Sequence, residues 1–224
     1  MDSSQMKIIF EGVLLSVQAR SEVWRYRIDN RSHRATGYNL FLTGEFGDEE
    51  GAFSIATGEK SFKKLGARLG DRLSGTAWTK LDPKLEYADF YRAASLKVME
   101  KCKDPEDGSR PPYTGEPPSM EELDLRGARM LDTRLWKGKC FKCVYATMAN
   151  VHVTYRYDSF NRPIARNRFE SFCYGPLQCP LYRMGRPRSV PSIYGAVTDD
   201  GVLDELCVES RPWDLDCGDD GGDF

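Results

Sequence analysis

The chain has 224 residues, of which 40% are hydrophobic, 12% aromatic and 29% charged, and its formal net charge is −2. This composition is ordinary for a globular protein and excludes wholesale disorder, and the length allows one large domain or two small ones. No apolar run approaches the roughly 18 residues that a membrane helix needs, so we expect no membrane association.

Residues 1–5 have neither a basic stretch nor an apolar stretch, so we expect no secretory signal and a cytoplasmic location. The chain contains seven cysteines. In a cytoplasmic protein, cysteines are thiols or metal ligands rather than a disulfide framework.

Strands are predicted for most of the first hundred residues. Residues 8–17 form a long apolar run interrupted by Gly12, where a glycine indicates a bulge or a bend. Residues 23–28 alternate apolar and polar side chains, as a half-buried strand does, and turn-forming residues follow at 29–32. A third strand is predicted at residues 38–42, and residues 52–56 form either a short fourth strand or a continuation of the third.

One helix is predicted between these strands and the next ones. Phe62, Leu65 and Leu69 lie at helical spacing, and Gly70 follows at the position expected of a helix C-cap. The pattern then returns to extended segments at residues 71–78 and 87–99.

This order of elements, with one helix between the third and fourth of five strands, is the plan of an OB-fold barrel. A Gly-Asp-x-Leu-x-Gly sequence at residues 70–75 leads into the strand after the helix, and residues 6–101 resemble OB-folds as a whole. The resemblance implies a mainly β protein in which residues 1–102 form an OB-like five-stranded barrel. A different small β-barrel is the alternative fold.

Residues 103–118 hold five of the twelve prolines and no aliphatic side chain, which predicts an exposed linker. Ser119 is predicted to cap a short helix with Glu121 and Glu122 in its first turn, and with Leu123 and Met130 on one face.

Four cysteines are arranged in two pairs around a predicted β-hairpin. Cys140 and Cys143 form a C-x2-C pair, and Cys173 and Cys179 form a C-x5-C pair. Residues 151–157 alternate strictly, residues 158–163 have turn chemistry, and residues 164–172 form the return strand. A hairpin of this length brings the two cysteine pairs together.

This arrangement in residues 119–195 resembles a zinc ribbon, in which four thiolates hold one structural zinc ion. The resemblance implies Zn²⁺ ligands at Cys140, Cys143, Cys173 and Cys179. The C-x5-C pair is longer than the usual second pair and Pro180 follows it, so a [4Fe–4S] cluster is the second reading. Four unrelated core cysteines are the third. We expect His152 to be exposed or to pack against a neighbouring strand rather than to bind the metal.

A basic block overlaps the cysteine pairs. Residues 137–188 contain ten Lys or Arg and two acids, a local balance of +8. Arginines for phosphates and aromatic rings for bases are the combination that single-stranded nucleic-acid binders use. The residues predicted to bind nucleic acid are Lys142, Arg156, Arg162, Arg166, Arg168, Tyr155, Tyr157 and Phe160.

No motif of nucleophilic, phosphate-cradling, dinucleotide-binding or zinc-protease chemistry is present, and the chain has only two histidines. We therefore predict a non-catalytic protein or accessory subunit that binds nucleic acid, with single strands favoured. The alternatives are a protein-interaction or scaffold subunit with a structural metal site, an iron–sulfur protein, and a ribbon face that is merely solvated.

The C-terminal residues 196–224 are predicted to form an acidic tail, disordered beyond about residue 212. Residues 199–224 contain ten acids and one arginine. The acidic, glycine-rich end that closes on Asp223 and Phe224 resembles the tails of bacterial single-strand-binding proteins, which implies recruitment of a protein partner. A solubilising tail and a tail that masks the basic block are the alternatives.

Overall fold

A computed structural model describes residues 5–26, 30–104, 108–157, 163–186, 190–191, 197–198, 200–209 and 211–212. These residues contain ten strands and four short helices, which confirms the prediction of a mainly β protein. None of the described helices has both the length and the hydrophobicity needed to span a bilayer.

The first hundred residues contain five strands and one helix. They are β1 (Lys7–Tyr26), β2 (Asn30–Phe46), β3 (Glu49–Thr57), α1 (Glu59–Leu65), β4 (Arg72–Thr79) and β5 (Phe90–Glu100). Pairing is antiparallel for β1–β2, β2–β3, β4–β5 and β1–β4, and parallel for β3–β5. A buried apolar cluster including Phe10, Leu14, Leu40 and Ile55 lies between these elements.

Strand β1 joins two segments that the sequence analysis separated. It runs through both because register shifts against β2, between Leu14 and Ser16 and between Arg20 and Ser21, allow a long strand to bend. Gly12 lies outside these shifts. A Cβ atom on Gly12 would lie 2.8 Å from the carbonyl oxygen of Thr43, so this glycine allows close approach of β1 to β2 instead.

The helix ends earlier than predicted. Gly66, rather than Gly70, is the C-cap of α1: it has φ 60° and ψ 35°, and its N–H donates to the carbonyl oxygen of Phe62. The left-handed conformation favours glycine, and Gly66 is the first glycine after the helix begins. The helix therefore ends there.

The second half of the chain extends the same sheet. Its elements are α2 (Met120–Arg126), β6 (Arg129–Met130), α3 (Thr133–Lys137), β7 (Ala146–Tyr157), β8 (Pro163–Cys173), β9 (Val190–Pro191), β10 (Val197–Thr198) and α4 (Asp200–Val208). Strands β7 and β8 form the predicted antiparallel hairpin. Because β7 pairs in parallel with residues 22–25 of β1, the predicted barrel and the cysteine hairpin share one eight-stranded sheet.

The predicted linker is not exposed throughout. Thr114, Pro117 and Pro118 are buried, and the Tyr38 hydroxyl donates to the carbonyl oxygen of Pro118 over 2.7 Å. Ser119 caps α2 as predicted, because its hydroxyl accepts from the N–H of Glu122 at 3.1 Å. Met130 lies in β6 and not on the helix.

The predicted acidic tail, residues 196–224, begins with the helix α4. In α4, Leu203 and Asp204 are 3% and 6% exposed, and the Asp204 carboxylate lies 2.5 Å from the Arg31 guanidinium. This segment is folded because Leu203 is buried and Asp204 forms a buried ion pair, and both interactions offset the entropy lost on ordering the chain. Residues 213–224, including the terminal Phe224, lie outside the described residues.

Candidate metal centre and nucleic-acid surface

The first cysteine pair lies in a tight turn directly after α3. The Asp132 side chain caps this helix by accepting from the N–H groups of Arg134 and Leu135. The N–H of Cys140 then donates to the carbonyl oxygen of Leu135 at 3.0 Å, and that of Cys143 to the carbonyl oxygen of Cys140 at 3.1 Å. The short helix and its turn therefore fix the backbone of both cysteines.

Strand β1 holds this turn by side-chain hydrogen bonds. The carbonyl oxygen of Phe141 accepts from Ser16 Oγ at 2.5 Å and from Gln18 Nε2 at 2.6 Å. Gln18 Oε1 in turn accepts from Trp136 Nε1 at 3.0 Å. Gln18 is 1% exposed, and these hydrogen bonds satisfy both ends of its buried amide.

The second cysteine pair lies at the end of β8 and in the loop after it. Cys173 is the last residue of β8, and its sulfur accepts from the N–H of Gly175 at 3.3 Å. The loop is shaped by Arg129, whose Nη2 donates to the carbonyl oxygens of Gly175 and Pro176 at 3.2 and 2.9 Å. This buried arginine accommodates the long spacing between Cys173 and Cys179.

The two pairs converge on one small cavity, as the hairpin prediction requires. Cys140, Cys143 and Cys173 are each 7% exposed, and Cys179 is half-buried. The cavity is about 10 Å³, the size of one water molecule or ion rather than of an organic ligand. Its other walls are mostly apolar and aromatic, with Tyr113, Tyr145, Tyr182 and Leu131 among them.

Burial favours the protonated form of three thiols in this cavity, those of Cys140, Cys143 and Cys173. Desolvation, with a smaller contribution from neighbouring Cys173, raises the pKa of Cys143 to about 12, and it raises the pKa of Cys140 to about 11. Burial also raises the pKa of Cys173, against the opposing charge of Arg129. A metal ion in the cavity would favour the deprotonated thiols instead, because metals bind the thiolate.

The donor set has the chemistry of a structural zinc site, which is four cysteines. Among the described residues, however, no group of three or more His, Cys, Asp or Glu side chains is arranged to hold a metal ion. The side chains therefore converge without forming a coordination sphere, and zinc and [4Fe–4S] at this position stay predictions. His152 lies elsewhere: its ring stacks on Trp24 with 5.6 Å between centroids, across the β1–β7 pairing as expected.

The exposed charges of the cysteine-bearing segment are basic. Where side chains are described between residues 133 and 186, every exposed charged residue is a lysine or arginine, and the one acid, Glu170, is buried. Of the predicted nucleic-acid residues, Lys142 and Arg166 are among those exposed, and Arg168 is ion-paired with Glu170. The exposed basic residues are Arg134, Lys137, Lys139, Lys142, Arg166, Arg183 and Arg186.

The tip of the hairpin lies largely outside the described residues. Arg162 and Phe160 are not described, and for Arg156, Tyr155 and Tyr157 only the backbone is described. The register pairs Arg156 with Ile164 and Val153 with Arg166, so the backbones of these two arginines lie close together on neighbouring strands.

A cluster of aromatic rings beside the cysteine turn was not predicted. Phe141 lies 5.2 Å from Phe41, and Tyr87 lies 5.3 Å from Phe169, measured between ring centroids. Trp136 connects the two pairs from its buried position. These five residues come from four separate parts of the chain, so no local sequence pattern signals the cluster.

Comparisons with protein-family models, with curated proteins and with solved structures find no match to this chain.

Proposed function

We propose that β1–β5 form an OB-like barrel. The support is a cycle of strand pairings: β2 pairs with β1 and β3, β3 with β5, β5 with β4, and β4 with β1. Helix α1 lies between β3 and β4 in the chain, which is the position that the OB-fold plan gives to its helix.

The protein binds single-stranded nucleic acid and is not a catalyst. The binding surface lies on the half of the eight-stranded sheet that carries the cysteines. The observation that carries this proposal is the sign of the exposed charges, all of which are positive among the described side chains from 133 to 186. A surface of one sign attracts the opposite charge, and a nucleic-acid backbone is the polymer that presents one negative charge per nucleotide.

The aromatic cluster supplies the second requirement of single-strand binding. Phe41, Tyr87, Phe141 and Phe169 are half-buried, and Phe141 and Phe169 are the sequence neighbours of Lys142 and Arg168. Bases stack on such rings with little regard to sequence, whereas a duplex keeps its bases unavailable. Arg156, Arg162, Tyr155, Tyr157 and Phe160 stay predicted nucleic-acid-binding residues, and their side chains lie outside the described part of the chain.

The four cysteines have a structural role in this function. A zinc ion bound by Cys140, Cys143, Cys173 and Cys179 would tie the turn after α3 to the end of β8, and so hold the basic residues of both segments on one rigid frame. An iron–sulfur cluster would do the same with four thiolates.

The test is a salt titration of binding to a short single strand, measured by fluorescence anisotropy. Replacing Lys139, Lys142 and Arg166 with Gln removes three positive charges from the basic surface. We expect weaker binding, and a log–log salt slope that flattens by about 2, because each phosphate contact in a single strand contributes about 0.7.

The matched control replaces three exposed lysines on the other half of the molecule, Lys60, Lys64 and Lys97, with Gln. This variant has the same net charge, so it should bind like the parent protein. Absence of binding by the parent at low salt, or equal losses in both variants, would refute the proposal.

A protein-interaction subunit is the second candidate function, and one observation favours it. Val202 and Leu206 are 51% and 56% exposed and lie four residues apart on α4, so they form an apolar strip on one helix face. A partner that covers this strip would bind with little dependence on salt. The oligonucleotide titration separates the two candidates, because a protein-interaction subunit would show no salt-dependent strand binding, whereas a nucleic-acid binder would show it and would keep it in Leu206→Ser.

A further inference from the structure

The guanidinium of Arg129 is buried, and no carboxylate neutralises it among the residues that the structure describes. Arg129 is 7% exposed. Its Nη2 donates to the carbonyl oxygens of Gly175 and Pro176, and its Nη1 donates to that of Leu177, so these partners are neutral groups. A further donor, Nε, is buried and has no hydrogen-bond partner in the described part of the chain.

Two other buried arginines are each paired with an acid. Arg31 forms an ion pair with Asp204, and Arg126 forms one with Glu122. A buried charge without such a counter-charge is unfavourable, because the protein interior solvates it poorly. The burial of Arg129 therefore calls for a negative charge close to it.

The register of the sheet places Cys173 directly opposite Arg129. These two residues are partners in the antiparallel pairing of β6 with β8. Side chains of directly opposite residues lie on the same face of a sheet, with their Cβ atoms about 5 Å apart. The guanidinium also stacks on Tyr182, 4.0 Å from the ring centroid. Because Cys173 and Tyr182 both border the cysteine cavity, Arg129 lies against two of its walls.

A metal bound by the four cysteines would supply the missing negative charge. Metal ions bind cysteine as the thiolate, and four thiolates carry twice the charge of one Zn²⁺, so the whole centre is an anion. A thiolate is also a strong hydrogen-bond acceptor, whereas a thiol is a weak one. The Cys173 thiolate would therefore give the buried Nε–H of Arg129 the acceptor that it lacks.

We propose that Arg129 is the counter-ion of a metal–thiolate centre at the four cysteines, and that its Nε–H donates to the Cys173 thiolate in that centre. Arg129 is then a positioning residue and not a metal ligand. It raises the affinity for the metal, because its charge is balanced only when the cysteines are deprotonated. The inference rests on the metal centre of the proposed function and does not depend on strand binding.

The first experiment measures zinc affinity by competition with a chromophoric chelator. Arg129→Gln removes the charge and keeps an N–H donor, whereas Arg129→Lys keeps the charge. We expect Arg129→Gln to weaken zinc binding about 10–100-fold, and Arg129→Lys to recover most of that loss. Arg183→Gln is the matched control, because Arg183 is exposed and donates to the carbonyl oxygens of Pro180 and Tyr182. The control makes the same charge change and should bind zinc like the parent protein.

The second experiment detects the proposed hydrogen bond in the parent protein by NMR of the arginine Nε–H groups. Addition of zinc should move the Arg129 Nε–H signal downfield and slow its exchange with water, because the proton then bonds to a thiolate. A residue that only shapes the loop would not give this response. The measurement also decides the question if Arg129→Gln fails to fold.

The outcomes distinguish this inference from the proposed function. Equal zinc affinity of the parent protein and Arg129→Gln overturns the inference and leaves the metal centre intact. Equal losses in Arg129→Gln and Arg129→Lys, or an Nε–H signal that zinc does not change, also overturn it. Parent protein that binds no zinc overturns the inference and the zinc centre together, whereas strand binding is decided separately by the salt titration.

Discussion

The side chain of Gln18 donates a hydrogen bond to the carbonyl oxygen of Phe141 over 2.6 Å, although 123 positions separate the two residues in sequence. Phe141 lies between Cys140 and Cys143, so this bond attaches the cysteine turn to the strand that the two halves of the sheet share. The position of the candidate metal centre therefore depends on a residue of the first strand.

Replacing Gln18 with Ala should destabilise the protein by about 1–3 kcal/mol. The substitution leaves a peptide oxygen and the Trp136 indole N–H with fewer partners in a buried environment. Urea denaturation measures the change, and Gln178→Ala is the control because Gln178 is exposed. Equal stability of the two variants would mean that Gln18 does not hold the turn.

Local patterns predicted the parts of the fold that depend on neighbouring residues. The alternation in residues 151–157 and 164–172 predicted the hairpin, and the polar side chain of Ser119 predicted the cap of α2, because both signals are contained in a few positions. The parallel pairing of β1 with β7 has no such signal, since a parallel pair leaves no turn in the sequence.

The candidate sites also include one feature with a local sequence signal and one without. The spacing of the four cysteines predicted that they converge, and they border one cavity. The aromatic cluster around Trp136 was not predicted, because its members share no periodic spacing in the sequence.

Replacing Asp204 with Asn should destabilise the protein by about 3–5 kcal/mol. Asp204 forms a buried ion pair with Arg31 and also accepts from the N–H of Met130 at 2.9 Å, so the substitution leaves the arginine charge buried without its partner. Guanidinium denaturation measures the loss. Glu205→Gln makes the same charge change at an exposed position of α4 and should have little effect.

If the two α4 variants unfold at the same denaturant concentration, the helix is not part of the cooperative fold. If Asp204→Asn unfolds at a lower denaturant concentration than Glu205→Gln, the helix at the start of the acidic segment is part of the cooperative fold.

Replacing Asp71 with Asn should lower stability by about 1–3 kcal/mol at neutral pH, and the loss should shrink in acid. Burial opposes the charge of Asp71, but hydrogen bonds from the N–H groups of Cys102 and Arg68, and from Lys101, lower the pKa of this carboxyl below its ordinary value of 3.8. A group with a lowered pKa in the folded state stabilises the protein above its unfolded pKa and loses that contribution as the pH falls through its folded pKa.

Denaturation curves of the parent and the Asp71→Asn variant at a series of pH values test this. Asp48→Asn, at an exposed turn, is the control. A stability difference that stays constant down to a pH well below 3.8 would contradict the assigned role of the Asp71 charge.

Freshly purified protein should contain one zinc ion per chain, and Cys140→Ser should reduce that content to near zero. Each of the four cysteines borders the same cavity, and a four-coordinate site loses most of its affinity with one ligand. Zinc content is measured by elemental analysis and stability by thermal melting. Cys102→Ser is the matched control, because Cys102 lies at the end of β5 and outside the cavity.

Chelation should lower the melting temperature of the parent protein and leave that of Cys140→Ser unchanged, since only the parent has an ion to lose. The affinity for zinc should weaken as the pH falls, because the metal binds thiolates and each protonated cysteine must first release its proton. Brown protein that contains iron and sulfide would assign the cavity to a [4Fe–4S] cluster instead. Metal-free protein whose melting temperature does not respond to chelator or to added zinc would show that the four cysteines are packing residues, and the zinc-ribbon resemblance would then be wrong.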